Sequence, residues 1–401
     1  MSILARKIQK IKPSPTLAVT SKARELKAKG IDIISLAAGE PDFDTPDNIK
    51  QAAIKGIQQG KTKYTPVAGT NELRQAVCDK FQRENNLNYD INEVIIGTGG
   101  KQIIYNLLMA TINDGDEVII PTPYWVSYPD MVLLSGGKPI FVDSTMDQDF
   151  KPKISDIEQS ITNKTKWLIL NSPSNPSGAI YTSNDLKEIA KLMEKYPDLH
   201  VMTDDIYEHI MFDDCAFHNL ASVASEKLKD RIFIINGVSK AYSMTGWRIG
   251  YGAGHRDIIK AMSVIQSQST SNPSSISQIA ALEALTGTQD YITPNARNFQ
   301  QKRDIVVKLL NGIDGIECRE PKGAFYLFPK CSALFGKKDL NDNVINNSTD
   351  LATYFLEKAN VAVVPGIAFG MDDHLRISYA TSIELLKDAC ERLRQAIGQL
   401  K

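Results

Sequence analysis

Cysteine is scarce and scattered: Cys78, Cys215, Cys318, Cys331 and Cys390 are the 5 in a chain of 401 residues, and no two form a CxxC pair. An odd, dispersed set builds neither a disulfide frame nor a zinc site, and it reads as reduced intracellular thiols of a cytoplasmic protein. A basic excess is missing too. The formal net charge is -1, which argues against nucleic acid or an acidic membrane as partner. No apolar run reaches membrane-spanning length without a proline or a charge. Residues 1–12 alternate basic and apolar residues without an apolar h-region, so they are read as an ordered arm and not as a secretory signal. Low-complexity tracts and fixed-period repeats are absent. His200, His209, His218, His255 and His374 lack the spacing of a metal cluster, so no metal is expected. A GxGxxG fingerprint after the first strand is missing, which argues against a nicotinamide-dependent oxidoreductase, and Gly97–Lys101 does not match the P-loop pattern, since no GK[ST] ends it.

The chain is long enough for two domains. From about residue 90 to 255, apolar strands alternate with amphipathic helices. Strands are predicted at 93–97, 117–121, 138–142, 167–171, 201–203, 232–235 and 249–251, with helices such as 102–112 and 184–195 between them. Several strands are continuous in Ile, Val and Leu, as strands covered on both faces are. The pattern predicts an α/β architecture, a mostly parallel seven-stranded sheet with helices on both faces. Further on, helices at 297–310, 350–358 and 383–397 mix with strands at 324–328 and 375–379, which predicts a smaller α+β domain. Residues 14–39 carry strand and turn signals. The expected division is 1–45 as arm and part of the small domain, 46–290 as the large domain, and 291–401 as the small C-terminal domain.

In open parallel sheets, ligands bind beyond the carboxyl ends of the strands. Five unusual segments fall at such ends. Gly97-Thr98-Gly99-Gly100-Lys101 follows a strand and opens a helix, where bare backbone NH groups favour a phosphate; a plain tight turn is the competing reading. Lys240 follows a buried strand, where desolvation frees its amine for Schiff-base chemistry. Arg248, 8 positions on, suits a phosphate. Asp204 or Asp205, on opposite faces of a strand end, offers a carboxylate for a protonated pyridine nitrogen, or an ordinary helix cap. Tyr207 is within reach of the same ring's oxygen. Asn175 sits in a rigid Pro-rich loop as a fixed donor, or in a simple turn. Trp125 could stack on a planar ring or serve packing. Arg376, in an apolar strand, wants a carboxylate, its own or a ligand's. Amine, ring acid, phosphate cradle and stacking ring are the parts that one cofactor requires.

At these residues the chain resembles the class I pyridoxal-phosphate-dependent aminotransferases of fold type I, and more closely the bacterial-type aspartate aminotransferase subgroup, some of whose members accept prephenate. The resemblance covers nearly the whole length. It includes 38–46 (AGEPDFDTP), 63–69 (KYTPVAG), 99–102 (GGKQ), 123–129 (PYWVSYP), 175–178 (NPSG), 204–207 (DDIY), 239–250 and 376–380 (RISYA). It implies that Lys240 carries pyridoxal 5'-phosphate and is the catalytic base. It implies that Asp204 pairs with the pyridine nitrogen, that Tyr207 and Asn175 bond the ring oxygen, and that Trp125 stacks on the ring. Arg248, Gly99 and Gly100 would hold the phosphate, with Lys101 beside them. Tyr64 would reach the phosphate of the neighbouring subunit, which implies a homodimer with shared active sites. Arg376 would bind the substrate α-carboxylate, with Gly39 against the substrate, Lys101 on its distal carboxylate, and Thr16 near the entrance, where it accompanies prephenate acceptance. Gly237 departs from animal-type members, which carry a phosphate-binding serine there. The distal-carboxylate arginine of those members has no clear counterpart.

The implied reaction is ping-pong transamination between L-aspartate and 2-oxoglutarate, with prephenate or aromatic 2-oxo acids as further substrates. Another reaction on the same cofactor, such as C–S β-elimination, is the alternative, since fold does not fix reaction. A non-enzymatic pyridoxal-phosphate sensor would need a DNA-binding segment, and no basic helix-turn-helix precedes Ser14.

Overall fold

The computed structural model describes residues 3–11, 13 and 15–401. The helices are α1 (Pro15–Ala28), α2 (Asp47–Gln58), α3 (Asn71–Asn85), α4 (Gly100–Thr111), α5 (Tyr128–Leu134), α6 (Ile154–Gln159), α7 (Ser183–Lys195), α8 (Leu220–Val223), α9 (Arg256–Ser267), α10 (Ser275–Thr286), α11 (Ile292–Leu310), α12 (Ser348–Tyr354) and α13 (Ile383–Ile397). The strands are β1 (Ile34–Ser35), β2 (Val94–Gly97), β3 (Glu117–Pro121), β4 (Lys138–Val142), β5 (Thr165–Asn171), β6 (His200–Asp204), β7 (Ile232–Gly237), β8 (Gly250–Ala253), β9 (Tyr326–Leu327), β10 (Val361–Ala362), β11 (Val364–Pro365) and β12 (Leu375–Ser378).

Seven strands form the main sheet in the order β2-β8-β7-β6-β5-β3-β4. The pairs from β7 to β4 are parallel, and β8 runs antiparallel to both its neighbours. The alternation read from the sequence thus gives the expected sheet. Its two faces bury alternate residues of the same strands. Ile96, Leu168, Leu170, Ile232 and Ile234 join one core with α2, α3, α7 and α10, while Ile95, Ile169, Met202, Phe233 and Ile235 join the other with α4, α5 and α9. Period-two alternation inside continuous apolar runs is what a sheet covered on both faces requires.

A third core gathers Ile34 and Leu36 with α11, α12, α13, β9 and β12, so residues from both ends of the chain share it. β1 lies parallel to β10, with Ile34 opposite Val361. Within residues 15–39 the strand reading is met by β1, but the first half departs from it. Pro15–Ala28 is a helix whose one buried residue is Ala23, packed with Ile33 and Ala362. Val19 and Leu26 flank Ala23 at helical spacing but are only partly buried, so the stripe is short, while Pro15 at its first turn is the kind of residue that tolerates a helix start. Of the arm, Arg6–Lys10 forms a 3-10 turn, and residues 1, 2, 12 and 14 lie outside the described ones. The helix expected at 350–358 is α12, continued by a π-turn at Phe355–Ala359.

The antiparallel setting of β8 matters for the site. Its first residue, Gly250, pairs with Gly97 and Gly237, the last residues of β2 and β7. The chain entering β8 therefore arrives at the same rim as the carboxyl ends of the parallel strands.

Candidate active site

A cavity of about 560 Å³ opens at that rim. It is lined by Thr16, Gly39, Gly100, Lys101, Trp125, Asn175, Asp204, Tyr207, Lys240, Arg248 and Arg376, eleven of the thirteen residues singled out in the sequence. Gly99 stands just outside this lining, beside the Arg248 guanidinium. Tyr64 is elsewhere: it is 93% exposed in the α2–α3 connection and takes no part in this chain's cavity.

Each strand end delivers one group. β2 ends at Gly97, and α4 begins three residues later with Gly99 as its cap. Gly99 has φ +85°, and a Cβ there would come within 2.5 Å of Arg248 Nη2. Gly250 is tighter still, since its Cβ would meet Gly100 N at 2.2 Å. Only glycine lets backbone, helix start and guanidinium converge this closely, leaving free NH groups and a cation at one point. Arg248, itself at φ 56°, donates to the carbonyls of Thr245 at 2.9 Å and Thr98 at 3.4 Å.

β6 delivers Asp204 and Asp205 to opposite faces, as alternation demands. Asp204 lines the cavity and accepts from Tyr128 Oη at 2.7 Å. Asp205 turns away and accepts from Asn219 and Thr203. Burial pushes the Asp204 carboxyl up to about 6, against the downward pull of the Tyr128 hydroxyl, the Ile206 NH and Lys240. Burial likewise lifts Asp205 well above the carboxylate range, aided by the nearby Glu208 and Asp204 charges. Tyr207 shares a 2.8 Å hydrogen bond with Tyr326 Oη.

β7 delivers Lys240. Its Nζ donates to the Gly39 carbonyl at 2.6 Å. Burial pulls its ammonium down to about 8; Glu40 opposes this, while Arg376 and Arg248 add to it. Arg376 reaches the cavity from β12. Its Nη1 donates to Asn175 Oδ1 at 3.1 Å and its Nη2 to the Ala37 carbonyl at 2.7 Å, while Nε is buried without a hydrogen-bond partner. Asn175 spends its oxygen on Arg376, so its amide NH₂ is the part left to donate elsewhere. Lys101 lies 4.7 Å from the centre of the Trp125 ring, and burial lowers its pKa, with Arg248 adding to the effect. Among the described residues, Lys101, Arg248 and Arg376 form no ion pair with a carboxylate. The Thr16 hydroxyl is buried and has no hydrogen-bond partner among the described residues.

Three contributors went unread in the sequence. Tyr128 sat inside a noticed motif, where Pro129 marks a helix start, yet nothing local pointed it at Asp204. Glu40, inside the noticed 38–46 motif, and Tyr326, which no local signal marks, line the cavity too. One histidine keeps acidic company: His209 stands with Glu84 and Glu208. The Lys80 ammonium pairs with both acids there, so a lysine already supplies the cation.

A family model for aminotransferase class I and II matches residues 31–393. A relative from Rickettsia felis named probable aspartate/prephenate aminotransferase is 60% identical over 400 residues, covering 100% of this chain and 98% of its own. The aspartate/prephenate aminotransferase of Cereibacter sphaeroides is 53% identical, covering 98% of each. The crystal structure of the aspartate aminotransferase from Rhizobium meliloti superposes with a TM-score of 0.96 at 48% identity, covering 100% of both chains. The Thermus thermophilus aspartate aminotransferase solved with maleate gives 0.92 at 41% identity, covering 99% of this chain and 100% of that one.

Proposed function

Because this chain belongs to the class I and II aminotransferase family, we propose that it moves an amino group from L-aspartate to 2-oxoglutarate, using pyridoxal 5'-phosphate and accepting prephenate or aromatic 2-oxo acids as further substrates. The observation that carries this reading is the charge of the cavity. Lys101, Arg248 and Arg376 face one space and are paired with no carboxylate of the described chain. Arg376 is buried without a carboxylate, and Lys101 and Arg248 stand exposed beside it at the cavity; a buried unpaired cation calls for an anion, and three cations facing one space attract more than one. A phosphate and two carboxylates would satisfy all three. A relative's structure with maleate, a dicarboxylate, supports the same pattern.

The residues fit the cofactor. The glycine cradle at Gly99 and Gly100, whose room a Cβ would fill, and Arg248 would take the phosphate. Asp204 would face the ring nitrogen, Trp125 the ring plane, and Asn175 and Tyr207 the ring oxygen. When bound, pyridoxal phosphate supplies an electron sink for charge released at the substrate Cα. Arg376 binds the α-carboxylate with its planar fork, and Lys101 attracts the distal one. Gly39 lies against the substrate, and Thr16 stands at the entrance. Lys240 Nζ moves the proton at Cα, and a pKa of about 8 leaves enough free amine to act as base near neutral pH.

Residues 46–290 are taken as the cofactor domain, and 1–45 with 291–401 as the small domain; the pairing of β1 with β10 supports this. The protein acts as a cytoplasmic homodimer. Free buried thiols at Cys78, Cys318, Cys331 and Cys390 support the compartment. Tyr64, bare on this chain, supports a site completed by a second subunit.

The test is a visible spectrum of the purified protein, titrated with aspartate in the absence of an acceptor. A cofactor band that shifts, with oxaloacetate released in step, is expected. No band after adding pyridoxal phosphate would sink the cofactor assignment. A band indifferent to aspartate, glutamate and aromatic amino acids would sink transamination.

A further inference from the structure

Asp204 is held at two places. Asn171 Nδ2 donates to its backbone carbonyl at 2.7 Å, and Asn171 in turn accepts from Asn175 N at 2.8 Å. The carboxylate is held by Tyr128, the one side-chain donor to it among the described residues, through Oδ2. Tyr128 is 2% exposed, opens α5, and meets the Trp125 ring edge-on at 5.3 Å. It lines the cavity between the residue proposed to stack on the ring and the residue proposed to face its nitrogen.

We propose that Tyr128 is a positioning residue for the transamination: its hydroxyl engages one oxygen of Asp204, fixes the carboxylate plane toward the cavity, and keeps the charge on Asp204 so that the proton of the pair rests on the ring nitrogen of the bound cofactor. This rests on the reading of the site under Proposed function. A hydrogen bond donated to a carboxylate stabilises its charged form over its protonated form. Burial works against that charge at Asp204. The hydroxyl itself stays a donor, because burial and the Asp204 charge push its own pKa far up. Without it, the carboxylate becomes the stronger base and competes with the ring nitrogen for their shared proton. The ring is then a weaker electron sink.

The experiment compares wild type, Tyr128→Phe, Asp204→Asn and the double variant, each loaded with pyridoxal phosphate labelled with ¹⁵N in the ring. The wild-type resonance is expected at the protonated-pyridine end. Tyr128→Phe, which keeps the buried ring, moves it toward neutral pyridine and lowers kcat for aspartate about tenfold or more, with KM changed far less. In the Asp204→Asn background the resonance is already neutral, and adding Tyr128→Phe moves it no further. A wild-type resonance and kcat in Tyr128→Phe, or an equal shift in both backgrounds, overturns the proposal. Should Tyr128→Phe fail to fold, 4-aminophenylalanine at position 128 replaces it. That weaker donor shifts the resonance toward neutral pyridine, and no shift or the reverse shift overturns the proposal. A wild type that binds no cofactor overturns the functional reading instead.

Discussion

Lys240 Nζ and the Gly39 carbonyl oxygen lie 2.6 Å apart, 201 positions distant in sequence. The contact is one of several that join the two segments. Thr245 Oγ1 donates to Glu40 at 2.8 Å, Thr45 Oγ1 to the Ser243 carbonyl at 2.7 Å, and Trp247 Nε1 to Thr45 at 3.0 Å. Behind them, the nearly buried Lys302 pairs with Asp42 at 2.6 Å. The segment from Gly39 to Thr45 is therefore pinned along the lysine loop, and the amine is held at the cavity before any ligand arrives. Pre-organisation of this kind lowers the entropy lost on reaching reactive geometry.

Lys240→Ala is expected to remove the aspartate-responsive visible band and to lower kcat by at least about 10³-fold, since it takes away both the attachment point and the base. Spectra and initial rates check this. A variant retaining more than a tenth of wild-type turnover would show that another group moves the proton.

The pH dependence follows from the same amine. Its folded-state pKa of about 8 lies below lysine's ordinary 10.5, so the folded chain binds fewer protons than the unfolded chain between those values. This group's contribution to stability therefore rises with pH across that window. Reaction of the cofactor-free protein with pyridoxal phosphate should accelerate through a midpoint near pH 8, as free amine appears. Stopped-flow absorbance reads it, and a midpoint above pH 10 would contradict the burial argument.

Asp204 should cost the cofactor-free protein stability. Its carboxyl rises from 3.8 to about 6, so the folded state binds more protons across that range and stability falls as pH climbs through it. The penalty is complete above about pH 6. Asp204→Asn is expected to stabilise the cofactor-free chain at pH 7.5 by roughly 3 kcal/mol and to lose that gain near pH 3.5. Urea unfolding at the two pH values decides it; equal effects at both would refute the assignment.

The two substrate cations should separate in kinetics. Arg376→Leu is expected to raise KM for every amino-acid substrate, by about 10- to 100-fold. Lys101→Met is expected to weaken dicarboxylates by about tenfold while sparing aromatic substrates. Comparing aspartate with phenylalanine in each variant tests the division.

Arg303 is 1% exposed on α11, yet it forks onto Asp213 at 2.6 and 2.7 Å and donates to the Pro321 carbonyl at 2.9 Å. Its guanidinium lies 5.0 Å from the centre of the Phe212 ring. Arg303→Met would leave the Pro321 carbonyl without this donor and Asp213 with Lys322 and Gln300 alone, and is expected to destabilise the fold by about 2 kcal/mol. Thermal and urea unfolding measure it, and a loss under about 0.5 kcal/mol would place the ion pair among inconsequential surface bridges.

The sheet was legible because its signal is local. Continuous apolar runs in strands such as β5 and β7 and helical spacing in α4 and α7 are written in neighbouring residues, and burial on both faces leaves few other ways to satisfy them. The helix α1 went unread because its apolar stripe, Val19, Ala23 and Leu26, is short and only Ala23 of it is fully buried. The site was legible by type: a lysine after a strand, glycines before a helix and an acid at a strand end each carry a reason in their own neighbourhood. Which aspartate faces the cavity followed from the resemblance, and the geometry puts Asp204 there and turns Asp205 away.

By itself, then, the sequence determined the alternation of strands and helices and the kinds of chemistry available at their ends. Tertiary structure decided what those groups touch. Tyr128 meets Asp204 only because α5 packs beside β3, β4 and α4 and turns its first residue to the end of β6, and Lys240 meets Gly39 only because the chain's early residues fold back onto the late ones. Strand order and the reversed course of β8, which bring Arg248 to Gly99, are set by packing two faces of one sheet at once, a condition that no single stretch of chain contains.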